Sequence, residues 1–207
     1  MEYSAAARMQ EDLVDARRRD AVPDSLLLLE HPPVITLGRS AGAGHVLISP
    51  EARAQRGIAL HETGRGGDVT YHGPGQLVGY PIVALEPGRR DVRAYLRDLE
   101  EALIRVLSDF GVRGERRDGL TGVWIGDRKA AAIGVRVSTG WITSHGFALN
   151  VTTDLRALSS IVPCGIRGLG VTSLQEALGA PLPLRTVADS AARRLAEILG
   201  RSLAEAS

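Results

Sequence analysis

IALHETGRGGDVTYHGPGQLVGYPIVAL, residues 58–85, holds six of the chain's 24 glycines between short runs of Val, Ile, Leu, Tyr and Thr. Strand formers punctuated by glycine, without helical spacing, predict strands joined by tight turns: IALHE, then TGRGGDVTYHGPGQ, then LVGYPIVAL. The GPGQ at 73–76 runs directly into apolar LVGYP, where a dinucleotide-binding fingerprint would open a helix. A phosphate-binding P-loop needs a lysine directly after its last glycine, and the only lysine, Lys129, lies far downstream. What remains is a backbone that can approach a ligand closely, with Arg65, Thr70, Tyr71 and His72 as its polar groups, or a glycine-rich hairpin with no ligand.

Working outward, Val92, Tyr95, Leu96, Leu99, Leu103, Val106, Leu107 and Phe110 fall on one helical face, with Gly111 placed as a C′ glycine. A first helix is predicted over 4–19, with Met9, Leu13 and Ala16 facing inward and Pro23 beyond its end. Strands follow at 26–30 and 34–37, interrupted by HPP, whose paired prolines forbid ladder bonds. Ser49 and Pro50 mark the N-cap and N1 of a short helix closed by Gly57. Further strands are expected at 122–125, 130–137 and 147–151, with turns at Gly126-Asp127 and Thr139-Gly140. After a loop beyond Asp154, Ser173 and Glu176 form a capping box. Thr186 then opens a last helix with Val187, Ala191, Leu195 and Ile198 inward. Without regular βαβ alternation, the expected class is α+β, a mixed β-sheet flanked by helices, in one domain over 1–207.

The 207 residues and 44% hydrophobic content suit such a domain, and 25 basic against 24 acidic residues leave +1, which gives no sign of nucleic-acid binding. No apolar run reaches the ~20 residues of a membrane helix, and the polar N-terminus has no signal-peptide core, so a cytoplasmic protein without a membrane span is expected. One Cys allows no internal disulfide or cysteine cluster. His31, His45, His61, His72 and His145 show no metal-ligand spacing, so no metal is expected.

The singletons are informative: 24 of 25 basic residues are Arg, so a bias that removes Lys has spared Lys129, and an amine that can lose its proton explains that. Cys164 sits in Val-Pro-Cys-Gly-Ile, a turn that projects a nucleophile or buries a small core residue. Lys129 is either a solvated turn residue or stands over a pocket walled by AAAIGV. If Lys129 reaches Cys164, its ammonium favours the thiolate and its amine relays protons.

RGGDVTYHGPGQLVGYP at 65–81, RKAAAIGV at 128–135, SHGFALNV at 144–151 and PCGI at 163–166 resemble, in that order, the motifs of the lipoyl (octanoyl) transferase family. LLLLEHPPVITLGRS at 26–40, TGVWIGDRK at 121–129 and GVTSL at 170–174 support the resemblance, which covers nearly the whole chain. It implies a fold like that of biotin and lipoate protein ligases. It also implies transfer of octanoyl from acyl carrier protein to a lysine of lipoyl-accepting domains, those of 2-oxoacid dehydrogenases and the glycine cleavage H protein, with no cofactor. Carried over, Cys164 is the acyl-thioester nucleophile and Lys129 its partner. Substrate binding falls to the loop Arg65, Gly66, Gly67, Asp68, Val69, Thr70, Tyr71 and His72, with Ala132, Ile133, Gly134, Gly146, Phe147 and Ala148.

The chemistry agrees with that role: a thioester donor and a thioester intermediate are close in energy, and final amide formation drives the transfer. Burying about seven methylene or methyl groups at ~0.8 kcal/mol each gives up to roughly 5–6 kcal/mol of chain recognition. One departure from the family is the N-terminus, which starts where a preceding strand is expected. Arg89, Arg90, Arg93, Arg97, Arg113, Arg116 and Arg117 form either a docking face for acidic partners or a solvated helix face. The rival readings are an ATP-dependent lipoate or biotin ligase and a non-catalytic acyl-binding protein.

Overall fold

Two β-sheets, in a computed structural model that describes residues 1–42, 44–162 and 170–204, carry the architecture. The larger has six antiparallel strands in the order β1-β5-β9-β8-β7-β6: β1 Ser25–Leu29, β5 Gln76–Ile82, β9 Ile142–Asn150, β8 Arg128–Ser138, β7 Leu120–Ile125 and β6 Glu115–Arg117. The smaller runs β3-β2-β4, with β2 Val34–Leu37 parallel to β3 Ala59–Glu62 and antiparallel to β4 Val69–His72. The class is α+β as expected, and the mixed pairing lies in the small sheet. The prolines of HPP do more than interrupt a ladder, because β1 and β2 on either side of them belong to different sheets.

Register across β5, β9 and β8 aligns Leu77, Leu149 and Ala131 in one row and Val78, Ala148 and Ala132 in the next. Successive side chains alternate between faces. The first row packs with α3 (Val92–Asp109) and α5 (Leu184–Leu199) through Leu99, Leu103, Val106, Val187, Ala191 and Leu195. The second faces α1 (Tyr3–Arg18), where Ala6 and Val14 meet Val78, Tyr80, Ile82 and Ala148. A third apolar cluster joins Ile35, Val69 and Tyr71 of the small sheet to Leu158 and Ile161.

Local signals explain most element ends. Ser49 Oγ accepts from the Ala52 N–H at the start of α2 (Pro50–Gln55), and Gly57 follows at φ +62°. Helix α3 closes with Gly111 at φ +72°, and its start is set by Asp91, whose carboxylate accepts from the Arg93 and Ala94 N–H groups. Ser173 Oγ accepts from the Glu176 N–H ahead of α4 (Leu174–Leu178), but the Glu176 carboxylate bonds Arg128 and Thr172, so the capping box is half formed.

Several expectations need correction. Helix α1 buries Tyr3, Ala6, Gln10 and Val14 and leaves Met9 40% exposed, because the Gln10 side-chain oxygen accepts the His145 N–H and the Tyr3 ring packs on those of His31 and His61, contacts that hydrophobicity alone does not reveal. Helix α5 opens at Leu184 after Pro183, so Thr186 lies inside its first turn. Strand β9 starts at Ile142, well before 147, its polar Thr143 satisfied by the Pro81 carbonyl. Arg116 and Arg117, with Glu115, lie on the edge strand β6 and not on a helix face, a short charged edge of the kind that resists further pairing. Among the described residues no helix is long and apolar enough to cross a membrane.

Candidate active site

The face of β8 and β9 turned to the small sheet carries Ala132, Gly134, Gly146 and Ala148, with Ala132 opposite Ala148 and Gly134 opposite Gly146. Side chains this small leave a trough between the sheets. Close backbone approach also requires these glycines. A Cβ on Gly134 would lie 2.9 Å from the Gly66 carbonyl oxygen, and one on Gly146 would lie 2.1 Å from that of Gly79.

The trough has two hollows, both bounded by Thr70, Ala132 and Ala148. One, of about 340 Å³ including its mouth, is lined also by Tyr3, Arg65, His72, Tyr80, Ile133, Gly134, His145, Gly146 and Phe147. The other, of about 370 Å³, is lined by Lys129, Val69, Tyr71, Gln76, Asn150, Leu158, Ile161 and Val171. Gly66, Gly67 and Asp68 open onto a wider cleft that shares Val69, Thr70 and Ala132. Every predicted substrate-binding residue thus borders at least one of three hollows that share Thr70 and Ala132. The segment 65–72, expected as a loop, is half strand, since Val69–His72 is β4.

Lys129 is buried, with Nζ donating to the Thr121 carbonyl at 2.9 Å and lying 4.9 Å from the centroid of the Trp124 ring. Its stem passes Gly122, at φ +130°, where a Cβ would lie 2.6 Å from Lys129 Cε and 2.5 Å from the Ala131 oxygen. Gly122 is anchored from α3 by buried Glu100, whose carboxylate accepts the Gly122 N–H at 3.0 Å and is neutralised by Arg97 and Arg116. Sequence reasoning missed this support, although a glycine beside the only lysine is a usable signal.

Cys164 and the rest of residues 163–169 lie outside the described residues. Both flanks are fixed beside Lys129. Val46 bridges Ile161 and the Val162 N–H donates to His45 on one side. On the other, the Lys129 N–H donates to Gly170, the Thr172 N–H donates to Lys129, and Lys129 pairs with Val171. Ile161 and Val171 therefore line the same hollow as the lysine.

The histidines divide sharply. His72 Nδ1 bonds the Gln76 carbonyl oxygen at 2.8 Å, while the Gln76 amide donates to Asn150 and the Asn150 amide to the Thr172 carbonyl. Burial pushes His72 down to about 3, outweighing its bond to Gln76. Burial, with Arg65 and Arg136 nearby, pushes His145 down to about 4. His31 donates through Nδ1 to the Met1 carbonyl, so in its neutral form Nε2 accepts from the Tyr80 hydroxyl, and burial lowers its pKa as well. The rings of His72 and His145 present uncharged surfaces to the trough. Arg65 turns its guanidinium onto the carbonyl and hydroxyl of Thr36 and the Gly66 carbonyl, with Cδ close to Gly134. Among the described residues no three His, Cys, Asp or Glu side chains are grouped to hold a metal.

Two sheets with the chain's only lysine at one end of the trough between them invite comparison with known proteins. Residues 2–196 match the model of the lipoyl protein ligase A/B catalytic domain, and the chain belongs to that family. It is 51% identical to an octanoyltransferase of Acidobacterium capsulatum, over 97% of this chain and 87% of that protein. It is also 50% identical to one of Solibacter usitatus, over 100% and 95%. The fold is shared with a putative lipoate protein ligase from T. acidophilum with bound lipoic acid (TM-score 0.72, 18% identity, 95% of this chain and 83% of that one). It is shared also with a biotin protein ligase from Aquifex aeolicus in complex with biotin and ATP (TM-score 0.51, 16% identity, 81% and 70%).

Proposed function

We propose that this chain, as a single catalytic domain, transfers an octanoyl group from acyl carrier protein to a lysine of lipoyl-accepting domains through a thioester on Cys164. The observation that carries the reading is the hollow shared by Lys129, Ile161 and Val171, opening into a trough floored by alanine and glycine. The two residues that bracket the cysteine segment meet the only lysine there, and the adjoining space suits an alkyl chain. Relatives named octanoyltransferase at about half identity favour transfer over the ligase chemistry of more distant proteins that share the fold.

In the first half-reaction the Cys164 thiolate attacks the donor's thioester carbonyl, the carbonyl–sulfur bond to the carrier breaks, and the carrier thiolate takes a proton from Lys129. In the second, the neutral Lys129 amine takes the proton released as the acceptor amine attacks, the carbonyl–Cys164 bond breaks, and the amide forms. An ammonium near a thiol lowers the thiol's pKa, which gives Lys129 its role before the first attack. Thr121 and Trp124 hold the lysine head in place, so proton transfer needs little reorganisation. Binding of the chain falls to Arg65, Thr70, His72, Ala132, Ile133, Gly134, Gly146, Phe147 and Ala148, with Gly66 to Val69 and Tyr71 along the adjoining walls.

The test is octanoylation of a purified lipoyl domain by the full chain, with octanoyl-acyl carrier protein and no ATP, followed by intact mass. The expected result is a gain of one octanoyl group on the acceptor, abolished in Cys164→Ser. Product formed only from free octanoate plus ATP, with Cys164→Ser fully active, would replace the transferase with a ligase.

A further inference from the structure

The trough has a built end. From Asn150, beside Lys129, to Gly146, β9 advances about 13 Å at ~3.3 Å per residue. At the Gly146 end stands Tyr3 of α1, 5% exposed, its ring 5.3 Å from that of His31 and 5.1 Å from that of His61. Tyr80 and His145 border the same hollow, their rings in an edge contact at 6.4 Å.

This wall is held from several directions. Gln10 of α1 accepts the backbone N–H of His145 at 2.8 Å, at a residue whose φ of +55° is rare outside glycine. The Met1 carbonyl accepts from His31, and Ala6 and Val14 pack against the sheet face that carries Tyr80 and Ala148. The end of the trough therefore belongs to a docked helix, with an aromatic ring and neutral imidazoles on its inner side. An extended eight-carbon acyl group is about as long as three strand residues, roughly 10 Å. Anchored at the Lys129 end, it ends roughly 3 Å, about one strand residue, short of Gly146, where Tyr3 and Tyr80 border the hollow.

We propose that Tyr3 is a chain-length gauge: its ring closes the end of the trough remote from Lys129 and limits the accepted acyl group to about eight carbons. This rests on the acyl-transfer reading and adds a specificity-determining residue, on an element outside the motif stretches, to the same site.

The experiment measures kcat/KM of the full chain for transfer from hexanoyl-, octanoyl-, decanoyl- and dodecanoyl-acyl carrier protein to a lipoyl domain, in wild type, Tyr3→Leu and Tyr3→Trp. Wild type should fall steeply beyond octanoyl. Tyr3→Leu should raise the decanoyl-to-octanoyl ratio on the order of tenfold, the worth of two more buried methylenes. Tyr3→Trp should raise the hexanoyl-to-octanoyl ratio. Each ratio is internal to one preparation and only folded molecules turn over, so partial unfolding lowers both rates together and leaves the ratio unchanged. Unmoved ratios in both variants, with all chain lengths falling in parallel, would overturn the gauge and leave the transfer reading standing. No transfer by wild type from any donor would remove both.

Discussion

The two faces of the six-stranded sheet are made by alternate residues of the same strands, yet they are built for opposite purposes. Leu77, Leu149, Ala131 and Val135 point to α3 and α5 and are packed tight with Leu99, Leu103, Val187 and Leu195. One residue along each strand, Ala132, Gly134, Gly146 and Ala148 face the small sheet and leave space unfilled. The first face supplies the stability that lets the second stay hollow. Glu100 links them: it lies on α3, within the packed side, and its carboxylate positions the glycine against which Lys129 rests.

If that division is right, substitutions on the two faces should separate activity from stability. The largest expected effects are chemical. Cys164→Ala should lower octanoyl transfer on the order of 10³-fold or more, and Lys129→Ala about 10²- to 10⁴-fold, in steady-state assays of acceptor octanoylation. Next, Gly122→Ala should lower kcat about 10²-fold with little change in KM, because the added methyl displaces the Lys129 stem; an unchanged kcat would break the link between Gly122 and the amine.

A paired substitution then compares the faces directly. Leu149→Ala should cost about 2–5 kcal/mol in urea unfolding and leave the turnover of folded molecules near wild type. Its neighbour Ala148→Leu should place its side chain at the junction of the two hollows, cost about 1–3 kcal/mol, and reduce octanoyl transfer far more than transfer of a short acyl group.

The smallest effect is one of pH. His72 and His145 are held neutral well below 6.5, so the unfolded chain binds protons the folded one refuses. Their contribution is present above about pH 6.5 and is lost as pH falls toward about 4, at up to about 1.4 kcal/mol per pH unit for each histidine. Urea unfolding across pH 7 to 4.5 should show this slope, shallower in His72→Gln; equal slopes would deny that burial sets the protonation of His72.

Much of this was legible because local chemistry and tertiary placement agree. Ser49, Gly57 and Gly111 mark helix ends through caps that need no tertiary help, and the predicted substrate-binding residues each border one of the three hollows that share Thr70 and Ala132. Failures came where a polar side chain is satisfied from a distance. Gln10 looks like a surface residue until the His145 N–H is brought to it, and Thr143 hides the start of β9 because its hydroxyl partner, the Pro81 carbonyl, lies on another strand. The arginines read as either a docking face or a solvated helix face illustrate the same limit. Arg89 bonds Asp98, Arg97 and Arg116 serve Glu100, Arg90 bonds the Leu85 carbonyl, and Arg117 bonds that of Gly126. Charge alone does not disclose such commitments. The split into two sheets was equally hidden, since the proline pair signals a break without saying where the chain goes next.

The central claim is that the acyl group rests on Cys164 while its chain lies in the trough. The most direct test incubates the full chain with octanoyl-acyl carrier protein, without ATP or acceptor, and locates the adduct by intact mass and peptide sequencing. The account predicts one hydroxylamine-labile octanoyl group on Cys164, strongly reduced in Lys129→Arg. An unmodified protein that still octanoylates a lipoyl domain when one is added would contradict it, because transfer would then proceed without the thioester.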